Sequence, residues 1–201
     1  FQFPSFKSSV EVSLFPQFNL DNFACAIGLI SNSFSTSELK NISYADIKLP
    51  PGRSDLLKLD QGHVFIDFAH DPESMKNILI SLAELYDEIL LIFGCGGDRD
   101  KEKRTRMMRV AEEFSQSIIF TSDNNRNESF ECIAADATQD SNFQNLVIIK
   151  SREEAIKQGL LSLNRSNILV ILGKGHEIVM EEEGSNIPFN DRECVLKSAR
   201  Q

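Results

Sequence analysis

From Val64 onward the chain alternates short apolar runs with longer segments whose apolar residues recur every three or four positions, which predicts strands and helices in βαβ succession. The pattern places a strand over 63–68, then a helix opened by Pro72 that carries Met75, Ile78, Leu79, Leu82 and Leu85 on one face. An unbroken apolar run over 89–93 reads as a strand buried on both faces. A helix over 101–114 follows, with Met107, Val110, Ala111 and Phe114 at helical spacing. Beyond it the pattern predicts a strand over 117–121, a helix near 128–137 and a strand over 146–149. Ser151 then caps a helix, with Glu154 at the capping-box position. Residues 168–172 form another buried strand, Glu183-Gly184 marks a hairpin, and a closing helix starts at Asp191. The first 50 residues break this rhythm: 1–15 read as extended, 20–30 as helical, and Pro50-Pro51-Gly52 punctuates the join. Residues 1–50 and 51–201 are therefore expected to be separate units, the second an α/β domain with a mostly parallel sheet flanked by helices.

Composition narrows the classes of partner. The chain has 201 residues, 41% of them hydrophobic, ample for a packed core. Its net charge of −9 disfavours a nucleic acid or an anionic membrane as partner, and no apolar stretch approaches the length of a membrane span. A soluble, cytoplasmic protein is expected. Cys25, Cys95, Cys132 and Cys194 are scattered singly, so buried or idle thiols in a reducing compartment are expected. His63, His70 and His176 form no metal-ligand pattern, and no metal site is expected within the chain.

The candidate chemistry sits in three loops, each just after an apolar run: Gly94-Cys95-Gly96-Gly97-Asp98-Arg99-Asp100, Ser122-Asp123-Asn124-Asn125-Arg126 and Gly173-Lys174-Gly175-His176-Glu177. If the preceding strands are neighbours in a parallel sheet, all three line one crevice at its carboxyl edge. The glycines of the first loop suit either a tight strand-to-helix turn or the presentation of backbone N–H groups to an anion. Neither a dinucleotide-binding glycine pattern nor G-x-x-x-x-G-K-[ST] occurs. Arg99 is the loop's distinctive element, because a guanidinium beside such a turn can grip a carboxylate or phosphate with two hydrogen bonds. Most of the run of neighbours Lys101, Lys103, Arg104, Arg106 and Arg109 is expected on a solvated helix face. Arg126 adds a second cation, and Asp123 and Glu177 add anions, so a zwitterionic ligand such as an amino acid suits the crevice. Asp67 and His70 end the first strand of the alternating region, where a general base is one reading and a cap for the next turn the other. No serine occupies a nucleophile elbow, and no catalytic residue is assigned.

The segments Ile66 to Pro72, Phe93 to Asp100 with Lys103-Arg104, Thr121 to Glu128 and Gly173 to Glu177 resemble, in order and spacing, the C-terminal part of the Mur ligases, in the branch that adds diaminopimelate. Phe18 to Asn22 and Gly52-Arg53 resemble that family's segments at the end of its central domain and at the domain junction. The resemblance implies an ATP-dependent amide-bond ligase of peptidoglycan precursor synthesis, with a part in cell wall biogenesis, cell shape and division. Such a ligase joins meso-diaminopimelate to UDP-N-acetylmuramoyl-L-Ala-D-Glu through an acyl phosphate. Residues 1–50 would be the end of the central ATP-binding domain, and 51–201 the Rossmann-like domain that brings the amino acid. ATP and Mg2+ would be held mainly by the central domain, so these residues alone are expected not to catalyse ligation. A monomer is expected.

Residue by residue, the resemblance assigns Arg99, Asp123, Asn124, Asn125, Arg126, Gly173 and Glu177 to diaminopimelate, and Asn22, Arg53, Asp67 and His70 to the adenosine of ATP. Asn125 stands where the family motif has proline, which is expected to loosen the loop, and Asp71 stands where threonine is usual. Retention of Arg126 favours diaminopimelate over lysine, which lacks one carboxylate. The alternatives are a lysine-adding ligase of the same family and a non-catalytic α/β ligand-binding module.

Overall fold

A computed structural model of the chain describes residues 2–3, 8–9, 12 and 14–200. The chain divides into two compact units, Phe1–Leu49 and Pro50–Gln201.

In the first unit, β1 (Gln2–Phe3) and β2 (Ser8–Ser9) pair antiparallel, and most of the remaining extended segment expected over 1–15 lies outside the described residues. Helix α1 (Gln17–Ile30) starts three residues earlier than its apolar pattern predicts and buries Asn19, Phe23 and Ile27, one residue per turn. Phe23 and Ile27 join Leu14 and Tyr44 in a small core, with the Phe23 and Tyr44 rings edge to face at 5.7 Å. The Tyr44 hydroxyl donates to the Leu39 carbonyl at 2.7 Å, so this polar tip is buried with a partner. Helix α2 (Thr36–Lys40) is too short for periodicity to reveal. It starts at a capping box in which Ser35 and Glu38 each satisfy the other's backbone N–H.

The second unit is built on a six-stranded sheet. Its strands are β3 (Asp55–Leu59), β4 (Gly62–Asp67), β5 (Glu88–Phe93), β6 (Ser117–Thr121), β7 (Leu146–Ile149) and β8 (Asn167–Leu172), in the order β3-β4-β8-β5-β6-β7. Every neighbouring pair is parallel except β3–β4. The edge strand β3 was not predicted: in Asp55-Leu56-Leu57-Lys58-Leu59 only Leu57 is buried, so no clear alternation marks it. Between strands run α3 (Pro72–Ala83), α4 (Glu102–Phe114), α5 (Phe130–Thr138) and α6 (Arg152–Leu161), and after β8 come the hairpin β9 (Val179–Glu182) and β10 (Ser185–Pro188) and the helix α7 (Asp191–Ser198).

Two faces of the sheet are covered, as the period of two along strands requires. Val64, Ile66, Leu90, Ile92, Leu169 and Ile171 form one core cluster with Ala155, Ile156 and Leu160 of α6 and Val195 of α7. The alternating residues Phe65, Leu91, Phe93, Phe120 and Val170 are also buried, and Phe120 stacks on Phe130 of α5. Helices α3, α4 and α5 pack side by side. Leu85, expected on the buried face of α3, lies past the end of that helix and is 63% exposed, because α3 stops at Ala83. Asp71 caps α3, its Oδ1 accepting from the N–H groups of Glu73 and Ser74 at 3.0 Å each, which is the task a threonine would also perform there.

The order of strands decides where the loops fall. From β4 the chain crosses to β5, leaving a slot that β8 fills only after β6 and β7 are laid down. The parallel register sets Asp67 opposite Leu172, Ile92 opposite Ile171 and Phe93 opposite Phe120. Four adjacent strands therefore end on one edge, at the crevice such an order creates.

Candidate functional site

The segments that leave β4, β8, β5 and β6 enclose a cavity of about 450 Å³ lined by Phe68, His70, Gly96, Arg99, Lys103, Asp123, Asn124, Arg126, Gly173 and Glu177. Seven of the residues assigned from sequence, His70, Arg99, Asp123, Asn124, Arg126, Gly173 and Glu177, thus line one cavity. His70, assigned to adenosine, stands among those assigned to the amino acid.

The glycine loop and the loop after β6 are zipped together by backbone. The Gly97 N–H donates to the Asn124 carbonyl at 2.9 Å, and a Cβ on Gly97 would fall inside the Asn125 carbonyl oxygen, so only glycine permits this approach. Arg104, expected on a solvated face, is instead fully buried beneath the loop. Its guanidinium donates to Glu128 at 2.6 and 2.9 Å, to Asp136 at 2.7 Å and to the Gly96 carbonyl at 3.2 Å. Two carboxylates and a carbonyl offset the burial that the helical pattern of α4 alone did not announce. The Arg104 hydrogen bonds outweigh desolvation and, with the Asp98 N–H and Lys101, hold the Glu128 carboxyl down at about 2.

Arg126 has a left-handed backbone, φ 53°, held on one side by β9 and on the other by the turn after it: its N–H donates to the Glu181 carbonyl at 3.1 Å, and its carbonyl accepts from the Glu183 N–H at 2.7 Å. Its side chain lines the cavity while Nη1 donates to the Gly97 carbonyl at 2.7 Å and Nε lies 3.4 Å from the Glu181 carboxylate. Arg99 differs: it is exposed at the rim with no ion pair or hydrogen bond among the described residues.

On the opposite wall Glu177 is set by a polar ring. Its Oε2 accepts from Lys174 Nζ and from Asn124 Nδ2, both at 2.8 Å, and Asn124 Oδ1 accepts from Lys174 Nζ at 3.0 Å and from the Glu181 N–H at 2.9 Å. Burial alone would raise the Glu177 carboxyl, but the hydrogen bonds from Lys174 and Asn124 and the charges of Lys174 and His176 bring it below the ordinary glutamate value. Gly173, at φ 114°, brings its backbone against Asp123: a Cβ there would meet Asp123 Oδ2 at 2.5 Å.

Three assigned residues of this unit do not line the cavity. Asn125 is buried behind the loop, its Nδ2 donating to Ser122 Oγ at 3.3 Å and its Oδ1 without a partner among the described residues. The loosening expected from the missing proline is countered by these contacts and by the packing of its carbonyl against Gly97. Asp67 is engaged within the fold, Oδ2 accepting from the Ser54 N–H at 2.7 Å and Oδ1 from the Ala69 N–H at 2.8 Å, so it acts as the turn cap. The Arg53 guanidinium lies 4.4 Å over the Phe68 ring, which His70 and His176 also approach at 4.8 and 5.0 Å. Asn22 is exposed on α1 in the first unit.

Sequence reasoning missed the support behind the cavity. Arg152 and Asp191, both wholly buried, pair at 2.7 and 2.9 Å, and the same guanidinium donates to the carbonyls of Ser122 (3.2 Å) and Leu172 (3.0 Å). This one side chain ties the exits of β6 and β8 to the start of α7. Lys174 was missed as well, since a lysine between two glycines reads as a solvated loop residue. Burial pushes the Cys95 thiol up to about 12, consistent with an idle thiol. Among the described residues no group of three or more histidine, cysteine or acidic side chains is arranged to hold a metal ion, and no helix is long and apolar enough to cross a membrane.

The cavity thus offers free or half-engaged guanidinium groups on one side and a hydrogen-bonded carboxylate on the other. The family model described as Mur ligase, glutamate ligase domain matches residues 52–175. The chain is similar to the UDP-N-acetylmuramoyl-L-alanyl-D-glutamate–2,6-diaminopimelate ligase of Halalkalibacterium halodurans, 35% identical over 100% of this chain and 42% of that protein. The protein of the same name from Fusobacterium nucleatum is 37% identical over 94% of the chain and 40% of its own length. A solved structure of a ligase with that name superposes with a TM-score of 0.74 at 32% identity, covering 98% of this chain and 41% of that one. The chain therefore spans well under half the length of these relatives.

Proposed function

The chain belongs to the Mur ligase family, and from that premise we propose that it is the amino-acid-binding part of an ATP-dependent ligase that adds meso-diaminopimelate to UDP-N-acetylmuramoyl-L-alanyl-D-glutamate. The observation that carries this reading is the pairing of Arg99 and Arg126 with Glu177 across one cavity of about 450 Å³. A ligand with carboxylates and ammonium groups at separated centres matches that charge layout. In this reading Arg99 and Arg126 take carboxylates, and Gly173 and Glu177 take the distal amino centre. The remaining amine attacks the glutamate carboxyl once that is activated as an acyl phosphate, with phosphate as leaving group.

Residues 1–50 are proposed to be the end of the central domain. Magnesium and the triphosphate are assigned to that domain, since these residues contain no Walker sequence. Alone, this chain is proposed to be inactive, cytoplasmic and monomeric.

One observation favours a lysine-adding variant of the same reaction. Glu181 lies 3.4 Å from Arg126 Nε, so a ligand lacking the distal carboxylate need not leave that cation unpaired. Calorimetric titration of the chain with meso-diaminopimelate and with lysine separates the two. One charge-assisted hydrogen bond contributes about 1.5–3 kcal/mol, so diaminopimelate should bind roughly ten- to a hundredfold tighter. Equal affinities would assign the site to lysine, and binding of neither would sink the proposal.

A further inference from the structure

Lys174 takes no part in the assignments above, yet it is a wholly buried cation beside the cavity, with 0% of its side chain exposed. It does not line the cavity itself. Its ammonium holds two groups that do: Asn124 through Oδ1 at 3.0 Å and Glu177 through Oε2 at 2.8 Å. The geometry points to Lys174 as a positioning residue that sets the rotamer and charge of Glu177 through a closed ring with Asn124, leaving Glu177 Oε1 as a preformed acceptor for a ligand ammonium.

Three features carry this inference. The Asn124 amide has a single workable orientation, because turning it over would aim Nδ2 at both the Lys174 ammonium and the Glu181 N–H. That orientation directs Nδ2 to Glu177 Oε2 at 2.8 Å. With two donors on Oε2, the free acceptor of the carboxylate is Oε1, which has no hydrogen-bond partner among the described residues.

Second, a buried ammonium must have a carboxylate near it, and the one it reaches is the cavity's own. The pair is asymmetric: Lys174 is wholly enclosed while the Glu177 side chain is 28% exposed. The enclosed partner is therefore the fixed one, and it determines where the partly exposed one rests. Third, Lys174 is locked from both sides by glycines with positive φ, Gly173 at 114° and Gly175 at 51°. A Cβ on Gly175 would strike the Gly52 carbonyl and the Phe68 backbone, so the segment cannot drift outward. The other charged or titratable groups lining the cavity with Glu177 are His70, Arg99, Lys103, Asp123 and Arg126, with His176 beside it, and none of them hydrogen-bonds it.

This inference rests on the assignment of Glu177 to a ligand ammonium for its binding arm only. In calorimetry of the full chain with meso-diaminopimelate, Lys174→Met should weaken binding by about tenfold or more, and should cost less than about twofold once Glu177→Gln is already present. Equal losses in both backgrounds would mean that Lys174 merely supports the fold, and would overturn the inference. If the wild-type chain does not bind diaminopimelate, the proposed function falls, and NMR decides the positioning role alone. The Glu177 carboxyl carbon should titrate at higher pH in Lys174→Met than in wild type, and an unchanged titration overturns the inference. Should Lys174→Met not fold, the wild-type chain provides the readout. The Lys174 Nζ resonance should be protected from exchange and should shift at the pH where Glu177 titrates, and failure of the two to move together overturns the assignment.

Discussion

The floor behind the crevice and its rim handle cations in opposite ways. Behind the loops, Arg104 and Arg152 are wholly buried, and each is matched to carboxylates and to the carbonyls that end strands or turns. At the rim Arg99 has no partner among the described residues, and Arg126 has only a loose contact with a half-exposed glutamate besides its carbonyl bonds. The buried set holds the loops where they are, whereas the rim set keeps part of its hydrogen-bonding capacity for something that arrives from solvent. Residue type does not separate the two groups. Depth and neighbours do.

The comparison breaks if substitutions in the two regions have similar effects. The largest loss of stability is expected for Arg152→Met, which strands Asp191 in the interior and frees two carbonyls. Breaking a buried pair typically costs about 3–5 kcal/mol, read by denaturant titration. Next is an acid effect at Arg104 and Glu128. The folded Glu128 carboxyl sits at about 2 against an ordinary value of 4.5, so its stabilising contribution is complete above 4.5 and is lost as pH falls toward 2. Glu128→Gln should remove that part of the slope of stability against pH. A smaller effect of opposite sign is expected for Asn125→Pro. Among the described residues the Asn125 N–H makes no hydrogen bond and its buried Oδ1 has no partner, so proline should raise stability by about 0.4–1 kcal/mol. Loss of stability there would show that the Ser122 contact outweighs the orphaned oxygen. The smallest stability change belongs to Arg99→Ala, within about 0.5 kcal/mol as for other exposed side chains. It should nevertheless weaken diaminopimelate binding about tenfold or more, since a charge-assisted contact is removed. A large melting shift with unchanged binding would place Arg99 with the buried scaffold instead.

Much of the α/β unit was legible because its strands are continuous apolar runs and its helices carry regular apolar faces, and tertiary packing had no reason to override either signal. The exceptions have local causes. Strand β3 is an edge strand with one buried residue, so its sequence has little to alternate. Leu85 continues the face of α3 in the sequence, but the helix ends first. Arg104 sits in a charged run that reads as solvated, and only the convergence of Glu128 and Asp136 from a neighbouring segment and helix makes its burial tolerable. In the site the same division holds. Loop glycines and the charges beside them could be picked out one segment at a time, while Asn125 and Asp67, equally polar, turned inward to packing and capping.

What the sequence determined by itself is therefore local: apolar periodicity set the succession of strands and helices, and turn residues marked the loops that would carry charge. The tertiary structure decided which of those charges meet. By inserting β8 between β4 and β5 it brought residues more than a hundred positions apart, such as His70 and Glu177, to one cavity. It also decided which polar groups leave water. Lys174 enters the interior where the Asn124 amide, from another loop, joins the carboxylate of Glu177 three residues along its own, and the contact with Asn124 is a property of three-dimensional neighbours that no short window of sequence contains.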